Sequence, residues 1–254
     1  MLLAIDVGNT HTVFGVWNGS AWSHTWRRTT SVETTEDELG AWLFAMFQLA
    51  NLPFQIEGAI SGSVVPGVNE SLARLCERHL GTPLTFLRTG AEVGLPVTYD
   101  PPHAVGADRI ANAVGALARF APPIIVVDFG TATTFDTIDG TGTYVGGSIL
   151  PGLQVSAQAL FGRTAKLPMV EFRAPETAIG RNTVAALQSG IMLGYAGAVD
   201  RLAHEIQGEL GGSATIVSTG GLGHIFVELC PLIRHHLPDL TLEGLRIAYG
   251  RLNA

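Results

Sequence analysis

Two short stretches of this 254-residue chain carry the residue types that grip polyphosphates. Asp6-Val7-Gly8-Asn9-Thr10 follows the apolar run Leu2–Ile5, and Asp128-Phe129-Gly130-Thr131-Ala132 follows Ile124–Val127. Each sets an aspartate at the end of an expected strand, then a glycine turn, then an expected returning strand. Glycine allows positive φ and close backbone approach. The amides and hydroxyls of Asn9, Thr10 and Thr12 in one copy, and of Thr131 and Thr133 in the other, can donate to phosphate oxygens. An aspartate at the strand end offers a hard oxygen ligand for Mg2+ or another cation, directly or through water. The copies lie 122 residues apart, and the returning strands match at Thr12 and Thr134. Facing each other across a cleft, two such loops would hold a polyphosphate from both sides. Ordinary hairpins also carry Asp-x-Gly turns, but here both copies open a domain-sized block, which favours an internal repeat.

Three further positions have chemical potential. Gly220-Gly221, with Gly223 close behind, follows the apolar strand Ala214–Ser218. It reads either as a plain strand-to-helix turn or as a backbone surface for a flat adenine ring. Gly106-Ala107-Asp108-Arg109 opens an expected helix over Val105–Phe120, where unpaired N–H groups favour a carboxylate. By spacing alone this is a capped helix with a surface Arg109. Tyr99 sits in the Pro-rich loop Tyr99–His103 as a half-buried anchor, and Thr183 precedes a long apolar helix as a natural cap.

The elements that must position these residues follow from periodicity and turn chemistry. Leu2–Asp6, Thr12–Trp17 and Ala21–Arg27 read as a meander, with Asn18-Gly19 as a hairpin turn. Thr35 and Glu38 have capping-box spacing ahead of an amphipathic helix through Ala50. Strand Ile56–Ser61, helix Val68–Leu80 and strand Leu84–Leu87 follow. Ala121-Pro122-Pro123 breaks the chain and the order restarts: strands Ile124–Asp128, Thr134–Ile138 and Tyr144–Ile149, helices Leu153–Phe161 and Thr183–Leu210, strand Ala214–Ser218 and two closing helices. Two α/β domains are expected, residues 1–120 and residues 121–254. On the long helix Gly190, Gly194 and Gly197 share a face, with packing inside the monomer as the simpler account and a subunit contact as the other.

Composition removes several classes. Hydrophobic residues make up 46% and charged residues 15%, which excludes a disordered chain. The net charge is −7, and no basic cluster exceeds Arg27-Arg28, so no nucleic-acid footprint is present. The single lysine, Lys166, is not preceded by G-x-x-x-x-G, which excludes that phosphate-binding loop. Cys76 and Cys230 are too few for a disulfide framework and read as buried hydrophobes. His235-His236, read on a helix, point about 100° apart and are expected at the surface. The N-terminus lacks a basic leader and no run of 18 apolar residues occurs, so a reduced, cytoplasmic protein with no membrane span is expected.

Taken together, the two Asp-Gly loops and the later glycine turn resemble the actin, Hsp70 and sugar-kinase superfamily. More narrowly, the chain resembles type III pantothenate kinases along AIDVGNTHTVFGVW, GAISGSVVP, YDPPHAVGADRIANAVGA, IIVVDFGTATTFDTID, GGSILPGLQVSAQALFGRTAKLP, IGRNTVAALQSGIMLGYAGAVD, STGGLG and DLTLEGL. It departs at His11, where the family often has Asn, and at Gly62, where it usually has Ser.

The resemblance implies a duplicated actin-like (ribonuclease H-like) α/β fold, with a mixed central sheet in each domain and a cleft between them. It also implies ATP-dependent phosphorylation of pantothenate, the first step towards coenzyme A. In that reading Asp108 accepts the proton of the substrate hydroxyl and Arg109 clamps the pantothenate carboxylate. Tyr99, Gly106, Ala107 and Thr183 complete the substrate site. Asp6, Val7, Gly8, Asn9, Thr10, His11, Thr12, Val13 and Thr131 hold ATP. Asp6 serves Mg2+, and Asp128 holds a monovalent cation, K+ or NH4+. The family is dimeric, so a homodimer is expected. The rival readings are another small-molecule kinase or phosphatase of this fold, and a non-catalytic regulatory paralogue. Retention of Asp6, Asp108 and Asp128 speaks against the paralogue.

Overall fold

A computed structural model describes residues 1–163 and 168–253; Lys166 lies outside them. The chain opens with β1 (Leu2–Val7), β2 (His11–Trp17) and β3 (Trp22–Thr29). β1 is apolar almost throughout because it is central, pairing antiparallel with β2 and parallel with β4 (Gly58–Ser63). At the β2–β3 turn Gly19 takes a φ of 104°, and the Asn18 side-chain oxygen accepts from the N–H groups of Ser20 and Ala21. The edge strand β5 (Leu84–Leu87) pairs with β4, giving the order β3-β2-β1-β4-β5.

Helix α1 (Glu36–Leu49) begins at the expected capping box, with the Thr35 and Glu38 side chains each bonding the other's backbone. It lays Leu43 and Phe47 on the sheet, where Phe14 stands 5.0 Å from Trp42 and Phe47 5.2 Å from Trp26, ring centre to ring centre. Fully burying a side chain of this size contributes about 1.5–3 kcal/mol, so this face anchors the unit.

The helix expected over Val68–Leu80 is wound in three ways: a 3-10 turn at Pro66–Val68, α2 (Asn69–Leu75), and a wider π turn at Cys76–Leu80. Gly81, at φ 67°, closes it by donating its N–H to the Cys76 carbonyl. α3 (Ala107–Leu117) starts two residues later than expected, because a 3-10 turn at Pro102–Ala104 leaves Val105 extended.

The second sheet repeats the first. β6 (Ile124–Phe129), β7 (Ala132–Ile138), β8 (Tyr144–Pro151), β9 (Thr215–Thr219) and β10 (His235–His236) lie in the order β10-β9-β6-β7-β8. This is the first order read from the opposite edge, with β6 in the place of β1. Around it are α4 (Leu153–Gly162), α5 (Thr183–Glu209) and α6 (Gly223–Leu229). α5 buries Met192, Ala196, Val199 and Ala203 in the core that holds Ile125, Val127 and Phe226.

The chain divides into two units, Met1–Gly115 together with the C-terminal segment from Leu240, and Ala116–Asp239. Residues 240–252 therefore do not stay with the second block, as the linear reading had them. α7 (Leu240–Leu252) packs on the first sheet instead. Leu242 lies against Gly15, Leu245 against Gly62 and the Tyr249 ring against Gly58, and Gly244 rides directly on the Ala111 backbone. A helix with Leu242, Leu245 and Ala248 on one face needs an apolar surface, and glycines in β2, β4 and α7 let it approach one closely.

The long helix gives a second correction. A Cβ placed at Gly190, Gly194 or Gly197 meets nothing within 4 Å, so among the described residues these glycines do not serve packing inside the chain.

His235-His236 give a third, because they form a short strand and not a helix. The Nδ1 of His236 lies 3.0 Å from the Ser218 hydroxyl. Burial, and then the neighbouring His224, hold the His236 imidazole below its ordinary pKa. Cys76 and Cys230 are buried free thiols, both pushed up to about 12 by burial, with Asp200 adding to the effect at Cys230.

Candidate active site

In the first loop, the register pairs Asp6 with Val13 and Val7 with Thr12. Gly8 N–H then donates to the His11 carbonyl at 3.0 Å, leaving Asn9 and Thr10 as an exposed two-residue tip. In the second loop, Asp128 pairs with Thr134 and Phe129 with Thr133. Gly130 N–H donates to the Ala132 carbonyl at 3.0 Å, so Thr131 alone forms the tip. The second turn is thus one residue shorter. The match of Thr12 to Thr134 slips by one; the structural counterpart of Thr12 is Thr133. Both face a strand-end apolar residue and both are buried.

Neither Gly8 nor Gly130 uses a left-handed φ. Their value is space: a Cβ would stand 3.2 Å from the His11 carbonyl oxygen in one and 3.3 Å from that of Ala132 in the other. Gly220 is different. It has a φ of 84°, and a Cβ there would come within 2.6 Å of an Asp128 carboxylate oxygen and 2.7 Å of the Phe129 N and O. The glycine turn after β9 is therefore pressed onto the end of β6, against the aspartate that opens the second loop.

Asp6 and Asp128 are both half-buried at the ends of the central strands. Among the described residues, no group of three or more His, Cys, Asp or Glu side chains could hold a metal. An Mg2+ ion at Asp6 would draw its other ligands from phosphate oxygens and water, which is its usual habit, so the donor set fits. Beside Gly220 an Asp128 carboxylate oxygen and the Phe129 carbonyl oxygen come together, two hard donors of the kind a monovalent cation takes.

The Gly106–Arg109 motif forms the entry to α3, in the same unit as the first loop. The Asp108 carboxylate curls back and accepts the Arg109 N–H at 2.8 Å. It lies over Gly106, where a Cβ would stand 2.5 Å from its oxygen and 3.4 Å from Val64. Only glycine leaves room for this carboxylate. Val64 also donates its N–H to the Val7 carbonyl at 3.0 Å, and Gly62, the register partner of Asp6, leaves space bounded by Ala107 at 3.5 Å. The motif is thereby fixed to the end of β1.

Burial pushes the Asp108 carboxyl above its ordinary pKa, outweighing the downward pull of the Arg109 N–H and of the Arg109 charge. The helix N-terminus does not by itself set this group's ionisation. Arg109 is buried. Tyr99 is half-buried in the loop before the Pro102–Ala104 turn. Thr183 is not the cap of α5: Asn182 caps it, its side-chain oxygen accepting from Ala185 N–H at 2.9 Å. Thr183 is the first helical residue and is exposed.

Behind each loop stand hydroxyls that the sequence does not single out. Thr30, just past β3, donates to the Gly8 carbonyl at 2.7 Å and lies 2.9 Å from the Thr12 hydroxyl. Tyr195 of α5 donates to the Pro151 carbonyl at 2.9 Å, and its oxygen lies 2.7 Å from the Thr133 hydroxyl, which is free to donate to it. Their partners are 18 to 62 residues away, so no local motif points to them.

Two sheets of one order, each opening with an aspartate and a glycine turn, define a protein of the duplicated actin-like fold, the class in which sugar kinases occur. Two solved structures share this fold. One, named a Baf family transcriptional activator from Campylobacter jejuni, is 18% identical with a TM-score of 0.63 over 99% of this chain and 100% of that one. The other, named a 2-dehydro-3-deoxygalactonokinase protein from Sinorhizobium meliloti, is 14% identical with a TM-score of 0.57 over 100% and 96%. The sequence model of the type III pantothenate kinase family matches residues 2–205. Relatives named type III pantothenate kinase include those of Myxococcus xanthus, 45% identical over 100% of both chains, and Syntrophotalea carbinolica, 44% identical over 99% of both. The chain belongs to the type III pantothenate kinase family, whose reaction is the ATP-dependent phosphorylation of pantothenate in coenzyme A biosynthesis.

Proposed function

We propose that this chain phosphorylates pantothenate with Asp108 as the proton acceptor, Arg109 as the carboxylate clamp, and the two Asp-Gly loops as the grip on the ATP phosphates. The observation that carries this reading is the Asp108 carboxylate, curled over Gly106 at the head of α3 with its pKa raised by burial. A base works best when its pKa lies nearer the working pH. In the reaction, the primary hydroxyl of pantothenate gives its proton to Asp108 as its oxygen bonds to the γ-phosphorus. The bond from that phosphorus to the β–γ bridging oxygen breaks, and ADP leaves. Such transfers depend mainly on positioning and charge neutralisation.

Asp6, Val7, Gly8, Asn9, Thr10, His11, Thr12 and Val13 build the first phosphate grip, with the buried Thr12 bracing the loop from within, and Thr131 is the tip of the second. Tyr99, Gly106, Ala107 and Thr183 line the substrate. Mg2+ at Asp6 and K+ or NH4+ at Asp128 supply positive charge beside the triphosphate, where neither loop contains a lysine. We also propose a homodimer through α5, where Leu193 lies exposed among Gly190, Gly194 and Gly197. Among the described residues no helix is long and apolar enough to cross a membrane, and the two buried thiols suit a reducing cytoplasm.

Product formation tests the reading. The full-length chain with Mg-ATP and pantothenate should yield phosphopantothenate in K+ buffer and little in Na+ buffer. ATP turnover that ignores pantothenate would remove the substrate assignment, and equal rates in both buffers would remove the monovalent cation.

A further inference from the structure

Thr30 holds the first loop from both sides. Its hydroxyl donates to the Gly8 carbonyl at 2.7 Å, its N–H donates to the Thr10 carbonyl at 3.0 Å, and its oxygen lies 2.9 Å from the Thr12 hydroxyl. These contacts reach Gly8 on the incoming arm, Thr10 at the tip and Thr12 on the returning arm.

A threonine hydroxyl has one proton. With the Thr30 proton given to the Gly8 carbonyl, the short contact between the two threonines requires Thr12 to donate to Thr30. Thr12 is 6% exposed, which suits an inward-turned hydroxyl. Its proton is then spent inside the protein and is not offered to a phosphate. The donors left at the exposed tip are the Asn9 side-chain amide and main-chain N–H groups.

We propose that Thr30 is a positioning residue for ATP: it fixes the carbonyl groups of the first loop inward, so that the loop's donors face outward before the nucleotide arrives. The inference rests on the reading of this loop as a phosphate grip. Donors fixed in advance need no reorganisation when charge develops on the transferring group. A loop whose Gly8 carbonyl has lost its partner can rotate that peptide and turn the neighbouring N–H away.

The test is steady-state kinetics of Thr30→Val, Thr30→Ser, Thr12→Val and Thr10→Ala in the full-length chain, with both substrates varied. Thr30→Val keeps the shape and removes the hydroxyl. It should raise the KM for ATP roughly tenfold, the order expected for one lost part-buried hydrogen bond. The KM for pantothenate should stay within about twofold. Thr30→Ser, which restores the hydroxyl, should return the KM for ATP to near the wild-type value. Thr12→Val leaves the Gly8 bond in place and should raise it only a few fold. A KM for ATP unchanged in Thr30→Val while Thr10→Ala raises it overturns this inference alone. An unchanged KM in both overturns the phosphate-grip reading as well. Equal rises in both substrates' KM, or no rescue by serine, would make Thr30 a merely structural residue. Should Thr30→Val fail to fold, Thr12→Val and Thr30→Ser decide: no rise in the first, or a full rise in the second, overturns the proposal.

Discussion

The two Asp-Gly loops share a backbone plan but are fastened by different hands. In the first, Thr30 N–H meets the Thr10 carbonyl at 3.0 Å; in the second, Gly152 N–H meets the Thr131 carbonyl at 3.1 Å. Thr30 and Gly152 thus hold equivalent places beyond the third strand of their sheets. At Thr30 the side chain takes part. At Gly152 it cannot, because a Cβ there would press on the Thr131 carbonyl and stand 2.6 Å from that of Gly130. The contact to the buried threonine of the returning strand passes to Tyr195 on α5, which meets Thr133 as Thr30 meets Thr12. The second turn is one residue shorter, and its own carbonyls take the space that a side chain at position 152 would need. Duplication has kept the main-chain bond, while the side-chain support has been rebuilt from another element.

Three substitutions probe this contrast. Gly152→Thr gives the second loop the residue of the first and should do the most damage. The new Cβ meets backbone carbonyls that no rotamer change can relieve, and overpacking costs typically about 1–3 kcal/mol or more. Urea denaturation should show a loss at the upper end of that range or beyond, with activity falling alongside; a stable, active variant would show that the two loops are not differently packed. Thr30→Val comes next, with its selective rise in the KM for ATP. Tyr195→Phe should be mildest, a few fold in the same KM, because its hydroxyl bonds the Thr133 side chain and the Pro151 carbonyl and not the loop carbonyl itself. An effect larger than that of Thr30→Val would make Tyr195 the stronger brace of the two.

Much of this arrangement is visible in the sequence, for identifiable reasons. Central strands are apolar on both faces, so LLAI and IIVV before an aspartate mark β1 and β6. The Thr35–Glu38 box is local and forms as its spacing demands. What escapes are features set by distant partners. The slip from Thr134 to Thr133 depends on how each turn closes its hydrogen bond. The return of α7 to the first unit depends on which apolar surface is free, which the helix's own amphipathic pattern does not say. The strand at His235-His236 is only two residues long and borrows its pairing from β9. Asn182 takes the cap of α5 from Thr183 because the helix starts one residue earlier than a Thr183 cap would place it. Within the site, Gly106 and Asp108 are legible as a motif, but the steric reason for Gly106 emerges only once the carboxylate is seen folded over it.

The pH profile follows from the same carboxylate. Burial raises the Asp108 pKa, so its acceptor form is present above that raised value and lost as the pH falls through it. The kcat of the wild type should therefore decline on the acid side at a pH above the ordinary aspartate range, and a profile flat down to that range would show that no such group is required.

Asp108→Asn isolates the proton acceptor. Asparagine keeps the size of the side chain and its oxygen acceptor for the Arg109 N–H, but cannot take the proton of the hydroxyl. Steady-state kcat for phosphopantothenate formation should fall by about 10²–10⁴-fold, the usual contribution of a positioned base. Pantothenate affinity, measured by calorimetry on the same variant, should stay within a few fold of wild type. A kcat near the wild-type value with pantothenate binding lost would contradict the account, leaving Asp108 as a substrate-positioning group and the proton acceptor elsewhere.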